Sequence, residues 1–166
     1  MMHRRRLLGA IVLGSLSLTG CGFHLRGAFS APFQKLYIQG ASNSRLVLML
    51  RRMIEAGSNV QVVASPSEAD AILEIVSDNR GQDILAYNDR GQVREYTLTR
   101  TIGLRLVTPD GYEYFKPTYF TDSRNLPYSD SQFLSFSDEA NKVYQDMLTS
   151  LCTQVLDVIS HVKPRQ

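Results

Sequence analysis

The stretch from residue 92 to 108 constrains the fold most. Tyr96, Leu98, Ile102, Leu104 and Leu106 fall on one parity, and Val93, Glu95, Thr97, Thr99, Thr101 and Arg105 on the other. Successive strand side chains point to opposite faces, so this pattern reads as a strand with one buried face and one polar, threonine-lined face. Arg100 interrupts the apolar set and is expected beyond the reach of any covering helix. Asn88-Asp89-Arg90-Gly91 before it and Pro109-Asp110-Gly111 after it are turn signals. Residues 71–87 and 112–124 then form the outer arms of a long antiparallel meander.

The flanking sequence supplies cover for the apolar face. Residues 35–39 read as a strand with Leu36 and Ile38 on one face and Tyr37 on the other. Ser42 or Ser44 caps a helix in which Leu46, Met49, Leu50, Met53 and Ile54 recur at three and four residues. Arg45, Arg51, Arg52 and Glu55 mostly face away, and Gly57 is a natural stop. Residues 60–63 form a second short strand, and Ser65-Pro66-Ser67 turns the chain. Downstream, Ser137-Asp138-Glu139 offers a cap and an acidic first turn. Ala140, Tyr144, Met147, Leu151, Val155, Val158 and Val162 continue one apolar stripe until Pro164. The expected architecture is α+β, with two helices packed on one face of a four- or five-stranded, mainly antiparallel sheet.

The N-terminus has a different logic. His3, Arg4, Arg5 and Arg6 precede an apolar run, Leu7 to Leu18, too short for a bilayer span of roughly 20 residues. The run suits a signal peptide and ends in Leu18-Thr19-Gly20-Cys21, the pattern of a bacterial lipobox. An ordinary secretory signal with an incidental cysteine is the alternative. Arg4-Arg5 followed by Leu7-Leu8 also has a twin-arginine flavour, although plain Sec export suffices. Residues 1–20 are expected to be removed and Cys21 to carry lipid. A tether over 21–34 leads to one domain over 35–163. As in lipoproteins generally, Gly22 in place of an aspartate after the cysteine favours the outer membrane.

Processing changes the charge. Three of the 18 Lys and Arg residues lie in the signal, which leaves 15 against 16 carboxylates. The precursor's pI of 8.6 therefore does not describe the mature chain, and no general nucleic-acid surface is indicated. With Cys21 lipidated, Cys152 has no disulfide partner. Its place in the apolar stripe suits a small core side chain better than a reactive thiol.

No catalytic constellation emerges. His3 leaves with the signal, His24 lies in the tether and His161 near the terminus. No Ser-His-Asp set, CxxC pair, HExxH, phosphate loop or metal cluster is present, and no cofactor is indicated. Asp138 and Glu139 are explained by the helix dipole, and Asp122 and Asp130 have no basic or histidine partner in sequence.

Cys21-Gly22-Phe23-His24-Leu25-Arg26-Gly27 directly after the lipobox resembles the mature start of the LptE family of lipopolysaccharide-assembly lipoproteins. The order of elements and the Gly91-Gln92 and Glu95-Tyr96 pairs in the central hairpin are similar too. The resemblance implies an outer-membrane protein that plugs the LptD β-barrel, binds lipopolysaccharide and assists its delivery to the outer leaflet. Barrel lumens are polar, and Thr97, Thr99 and Thr101 offer a hydrogen-bonding face for one, or else an ordinary solvated sheet face. Phosphates beside acyl chains call for cationic donors near apolar surface. Arg80, Arg90, Arg94 and Arg100 cluster around the hairpin, beside Leu85, Tyr87 and Tyr96. Asp89 and Arg90 both align with the family's basic residue at the hairpin turn, and Phe136 and Ser137 stand where a lysine is expected. A scaffold for another envelope complex, or a periplasm-facing carrier of a small lipid, would share the signal, tether and fold.

Overall fold

The computed structural model describes residues 31–165; Cys21 and the other signal and tether features before residue 31 lie outside it. Strand β1 (Lys35–Gln39) buries Leu36 and Ile38 and leaves Tyr37 between them half-buried. Helix α1 (Arg45–Gly57) starts at Ser44, whose Oγ accepts the Val47 N–H at 3.2 Å. It does not end on a left-handed glycine, since Gly57 has no positive φ. Ser58 turns to extended backbone instead, and its Oγ donates to the Ile54 carbonyl at 2.7 Å and accepts the Val60 N–H at 3.1 Å. Strand β2 (Gln61–Val63) and a 3-10 turn (Pro66–Glu68) follow.

The meander is longer than its turn signals suggest. Strands β3 (Ala71–Tyr87), β4 (Val93–Val107) and β5 (Glu113–Pro127) are antiparallel. The turns between them place Gly91 at φ 76° and Gly111 at φ 91°, a region where a side chain would be strained. Strand β5 continues three residues past Arg124, because Asn125 and Leu126 still pair with Thr97 and Tyr96. The register slips where Lys116-Pro117 lies opposite Arg105. Pro117 has no N–H to give a ladder, and β5 is an edge strand, where proline is tolerated.

The sheet order is β2-β1-β3-β4-β5, with β1 parallel to both β2 and β3. A parallel neighbour needs a crossover connection, and α1 supplies it between β1 and β2. Helix α2 (Phe133–Ser160) follows a 3-10 turn at Asp130–Gln132. It begins one turn earlier than the expected cap, so Ser137-Asp138-Glu139 lies within the helix and the first turn carries no acidic residue. The Asp130 turn runs straight into Phe133 and starts the helix without Ser137.

Both helices cover the face bearing Leu98, Ile102, Leu104 and Leu106, all fully buried. The core has two parts. The larger joins α1, β1, β2, the inner ends of β3 and β4, and Leu148, Leu151, Cys152, Val155 and Ile159 of α2. The smaller lies towards the hairpin tip and comprises Leu98, Leu126, Ala140, Tyr144 and Met147. Arg100, one strand alternation from both Leu98 and Ile102, sits between them.

Candidate functional site

The face of the sheet turned away from the helices is lined with hydroxyls. Thr97 Oγ1 donates to Asn125 Oδ1 at 3.2 Å, Thr99 and Ser123 hydroxyls meet at 3.4 Å, and Thr101 and Thr121 at 3.0 Å. These are directly opposed pairs of β4 and β5, and Asp83, Gly81 and Asn79 complete the rows on β3. Further along, the Tyr119 ring lies so close over Gly103 that an added Cβ would meet it at 2.7 Å. Arg105 closes this face by donating to Glu74 at 2.7 Å and Glu113 at 3.5 Å. The bond and charge of Glu74 hold its guanidinium above the usual arginine range. The three threonines thus belong to one continuous, mostly uncharged face, where each hydroxyl already has a partner yet stays within reach of water.

The four hairpin arginines separate into different environments. Arg100 is 1% exposed. Its Nε and Nη2 donate to the two oxygens of Asp78 at 3.0 and 2.8 Å, and its Nη1 donates to the Tyr144 carbonyl at 3.0 Å. Arg100 is therefore a buried bracket between β3, β4 and α2 and offers no donor to the surface. It lies directly under α2, within reach of the covering helix and not beyond it as the sequence suggests. Arg80 lies beside it on the same face, its guanidinium carbon 5.1 Å from the centroid of the Tyr144 ring. Arg90 and Arg94 are exposed at the hairpin tip. None of Arg80, Arg90 and Arg94 makes an ion pair among the described residues, whereas Arg100, Arg105, Arg124 and Arg165 all do.

The tip itself is ordered by side chains. Asn88 Oδ1 accepts the N–H groups of Arg90 and Gln92 at 2.9 and 3.0 Å, and its amide donates to Gln92 Oε1 at 3.0 Å. Gln92 then donates to Asp130 at 3.0 Å, tying the β3–β4 turn to the chain entering α2. The Tyr128 N–H donates to the Arg94 carbonyl at 2.7 Å. Burial and the neighbouring Asp130 push the Tyr128 hydroxyl above the usual phenol range. On the helix side Tyr96, Tyr128 and Phe136 pack together with ring centroids 5.1 to 5.4 Å apart, Tyr128 meeting both other rings edge to face and Phe136 tilted at 48° to Tyr96. Ile84, paired with Tyr96 on the ladder, and Phe133 stand exposed beside them; Leu85 and Tyr87 near the end of β3 and Leu134 at the start of α2 are exposed too, Phe133 at 66% and Leu134 at 88%.

Sequence reading missed this apolar collar at the start of α2. Phe133 and Leu134 lie outside the Ala140–Val162 stripe, and two large apolar residues off a helix's core face were the signal that could have found it. Among the described residues no group of His, Cys, Asp and Glu converges to hold a metal, and no helix is long and apolar enough to cross a membrane.

Residues 33–159 match the family model described as LptE, lipopolysaccharide-assembly. The chain belongs to the LptE family. It is 27% identical over 116 residues to the LPS-assembly lipoprotein LptE of Photorhabdus laumondii subsp. laumondii. That match covers 68% of this chain, and the chain spans 63% of the length of that curated relative. The solution structure of an uncharacterized lipoprotein B from Nitrosomonas europaea is similar, with a TM-score of 0.69 at 29% identity, over 81% of this chain and 88% of that one. The rare lipoprotein B of Shewanella oneidensis shares the fold, with a TM-score of 0.67 at 17% identity, over 76% and 94% of the two chains. The LptE family model spans every strand and nearly all of both helices, so the hydroxyl face and the hairpin tip lie inside the matched region.

Proposed function

We propose that this LptE-family chain is an outer-membrane lipoprotein, anchored through lipid on Cys21, that binds lipopolysaccharide and plugs the LptD β-barrel during delivery to the outer leaflet. One observation carries the reading. The two sheet faces are unequal, and the features suited to the two partners lie in different places. The face of Thr97, Thr99 and Thr101 suits a polar barrel lumen, because these hydroxyls can trade water for lumen groups without stranding a buried charge. The tip carries Arg90 and Arg94, neither of which makes an ion pair among the described residues, and Arg80 lies along the same hairpin. Guanidinium groups bind phosphate oxygens bidentately, and the exposed Leu85, Tyr87 and Phe133 put apolar surface beside them. Arg100 makes no direct contact in this reading.

The experiment is an Arg90→Glu/Arg94→Glu variant of the full chain, co-expressed with the barrel and tested for melting temperature, barrel recovery and lipopolysaccharide binding. Binding is expected to weaken by about 1.5–3 kcal/mol for each charge-assisted hydrogen bond removed, with the melting temperature unchanged. Full lipopolysaccharide affinity in a folded variant would move the site away from the tip. Recovery of wild type without any barrel would remove the plug from the reading.

A further inference from the structure

Two hollows meet at Tyr128. One, of 310 Å³, lies at the tip and is lined by Asn88, Gln92, Arg94, Tyr128 and Asp130. The other, of 400 Å³, runs between the first turns of α2 and the sheet, with Tyr96, Tyr128, Phe133, Phe136, Ala140 and Tyr144 along it. The first is polar and has an unpaired guanidinium. The second is walled by aromatic rings, and only Gln82, Ser137 and Asn141 give it a polar rim. Its volume lies within the range of small-molecule sites, about 300–1,000 Å³.

The ring cluster is fixed on several sides. Tyr144 donates its hydroxyl to the Gly81 carbonyl at 2.6 Å, while its own carbonyl accepts from Arg100. Phe136 is wedged against Tyr96 and Tyr128, so the slot has set walls, while Phe133 on its lining and the adjoining Leu134 remain in water. Phe133 and Leu134 open a helix whose core stripe starts only at Ala140. The fold gains nothing from their exposure, and large apolar groups left beside a groove mark a surface that meets apolar matter.

We infer that the aromatic slot is an acyl-chain site: one fatty-acyl chain of a phosphorylated glycolipid lies along Tyr96, Phe136 and Ala140 towards Tyr144, while its phosphorylated head occupies the neighbouring hollow beside Arg94. The inference rests on the proposed lipopolysaccharide reading and assigns that ligand's apolar part. Continuity and charge support it. Tyr128 belongs to both hollows, so a head and a chain joined covalently can fill them together. Arg80 is stacked on Tyr144 at the inner end, about 20 Å from Arg94 at roughly 3.3 Å of strand rise per residue, so the cation that serves the head is Arg94. Asp130 is the one carboxylate lining the head hollow; it is engaged by Gln92, and its charge opposes an anionic head.

The chain contains no tryptophan, so a Phe136→Trp variant provides a single, selectively excited tryptophan in the slot. The full chain is titrated with lipid A carrying brominated acyl chains and, separately, with deacylated lipopolysaccharide. Brominated chains are expected to quench the fluorophore, and they are expected to leave a Tyr112→Trp reporter at the opposite end of the sheet unchanged. Asn141→Phe, an exposed rim change that narrows the slot, is expected to weaken intact lipopolysaccharide about tenfold, the worth of one buried apolar group, and to spare the deacylated form. Intact lipopolysaccharide that binds through Arg90 and Arg94 without quenching, and regardless of Asn141→Phe, would overturn the acyl site and leave the tip reading standing. Failure of both lipids to bind would remove both. Lost barrel recovery in Phe133→Ser/Leu134→Ser with unchanged lipid quenching would assign those two residues to the barrel and shorten the slot to Tyr96, Phe136 and Tyr144. Quenching lost together with barrel recovery intact supports the inference.

Discussion

Replacing Arg100 by methionine tests the division of the core. In the folded protein the guanidinium makes three hydrogen bonds, two of them to the carboxylate of Asp78. The methionine leaves Asp78 facing an apolar group under α2, and breaking a buried pair in this way costs about 3–5 kcal/mol. The Asp78 side chain is 29% exposed, so it recovers part of its hydration. The Tyr144 carbonyl, in mid-helix, keeps its helical hydrogen bond. The loss therefore belongs at the lower end, about 3 kcal/mol, or roughly 12 °C in melting temperature for a domain of this size. Urea unfolding of wild type, Arg100→Met, Asp78→Leu and the double variant gives the coupling. The double variant joins the two apolar clusters without a charge and is expected within about 1 kcal/mol of wild type. A loss below about 1 kcal/mol in Arg100→Met, or a double variant no better than the single, would refute the bracket.

Burial pushes the Cys152 thiol up to about 12, so between pH 9 and 12 the unfolded chain gives up this proton while the folded chain keeps it. Stability should fall by up to about 1.4 kcal/mol per pH unit across that window, and urea midpoints of Cys152→Ala should show a shallower decline, with the raised Tyr114, Tyr128 and Tyr144 leaving some slope. The thiol should also resist a disulfide reagent at pH 8 until the protein unfolds. Cys21→Ser should lose palmitate labelling and membrane retention in high salt, and native protein should float with outer-membrane fractions on a sucrose gradient; a labelled, retained serine variant would disprove the anchor. Thr99→Arg sets a long cation in the middle of the hydroxyl face at a folding cost of less than about 1 kcal/mol, since the site is half-exposed. It should reduce recovery of the barrel, and unchanged recovery would place the barrel contact elsewhere.

Strand boundaries are legible where a local pattern sets them. The first arm reads at its observed residues, 71–87, and the parity of Leu98, Ile102, Leu104 and Leu106 marks the buried face of β4. Ser44 is one of two capping candidates, and only the structure shows its hydroxyl reaching the Val47 N–H. Errors fall where the outcome depends on another element. Ser137-Asp138-Glu139 has the chemistry of a cap, yet the Asp130 turn has already started the helix. Gly57 has the freedom of a left-handed stop, yet Ser58 ends the helix with its side chain. The partner of each threonine depends on the register of β5, which places Asn125, Ser123 and Thr121 opposite the three positions.

Arg100 illustrates the limit most clearly. On one strand it is a charge in an apolar row, and the sequence alone suggests that it lies beyond the reach of the covering helices. The structure takes another way, because Asp78, 22 residues away on β3, and a helix carbonyl 44 residues away converge on the guanidinium. The same convergence fixes Tyr144, whose hydroxyl and ring engage Gly81 and Arg80 and whose flank forms the inner end of the aromatic slot. The distal cluster is small, five buried side chains, and a group that size gives little apolar stabilisation of its own. The first turns of α2 are held over the hairpin by that cluster together with the Arg100 bracket and the Tyr144 hydroxyl. Fold and candidate site therefore meet in residues whose roles no local pattern identifies, because each acts through partners that only the folded chain brings within reach.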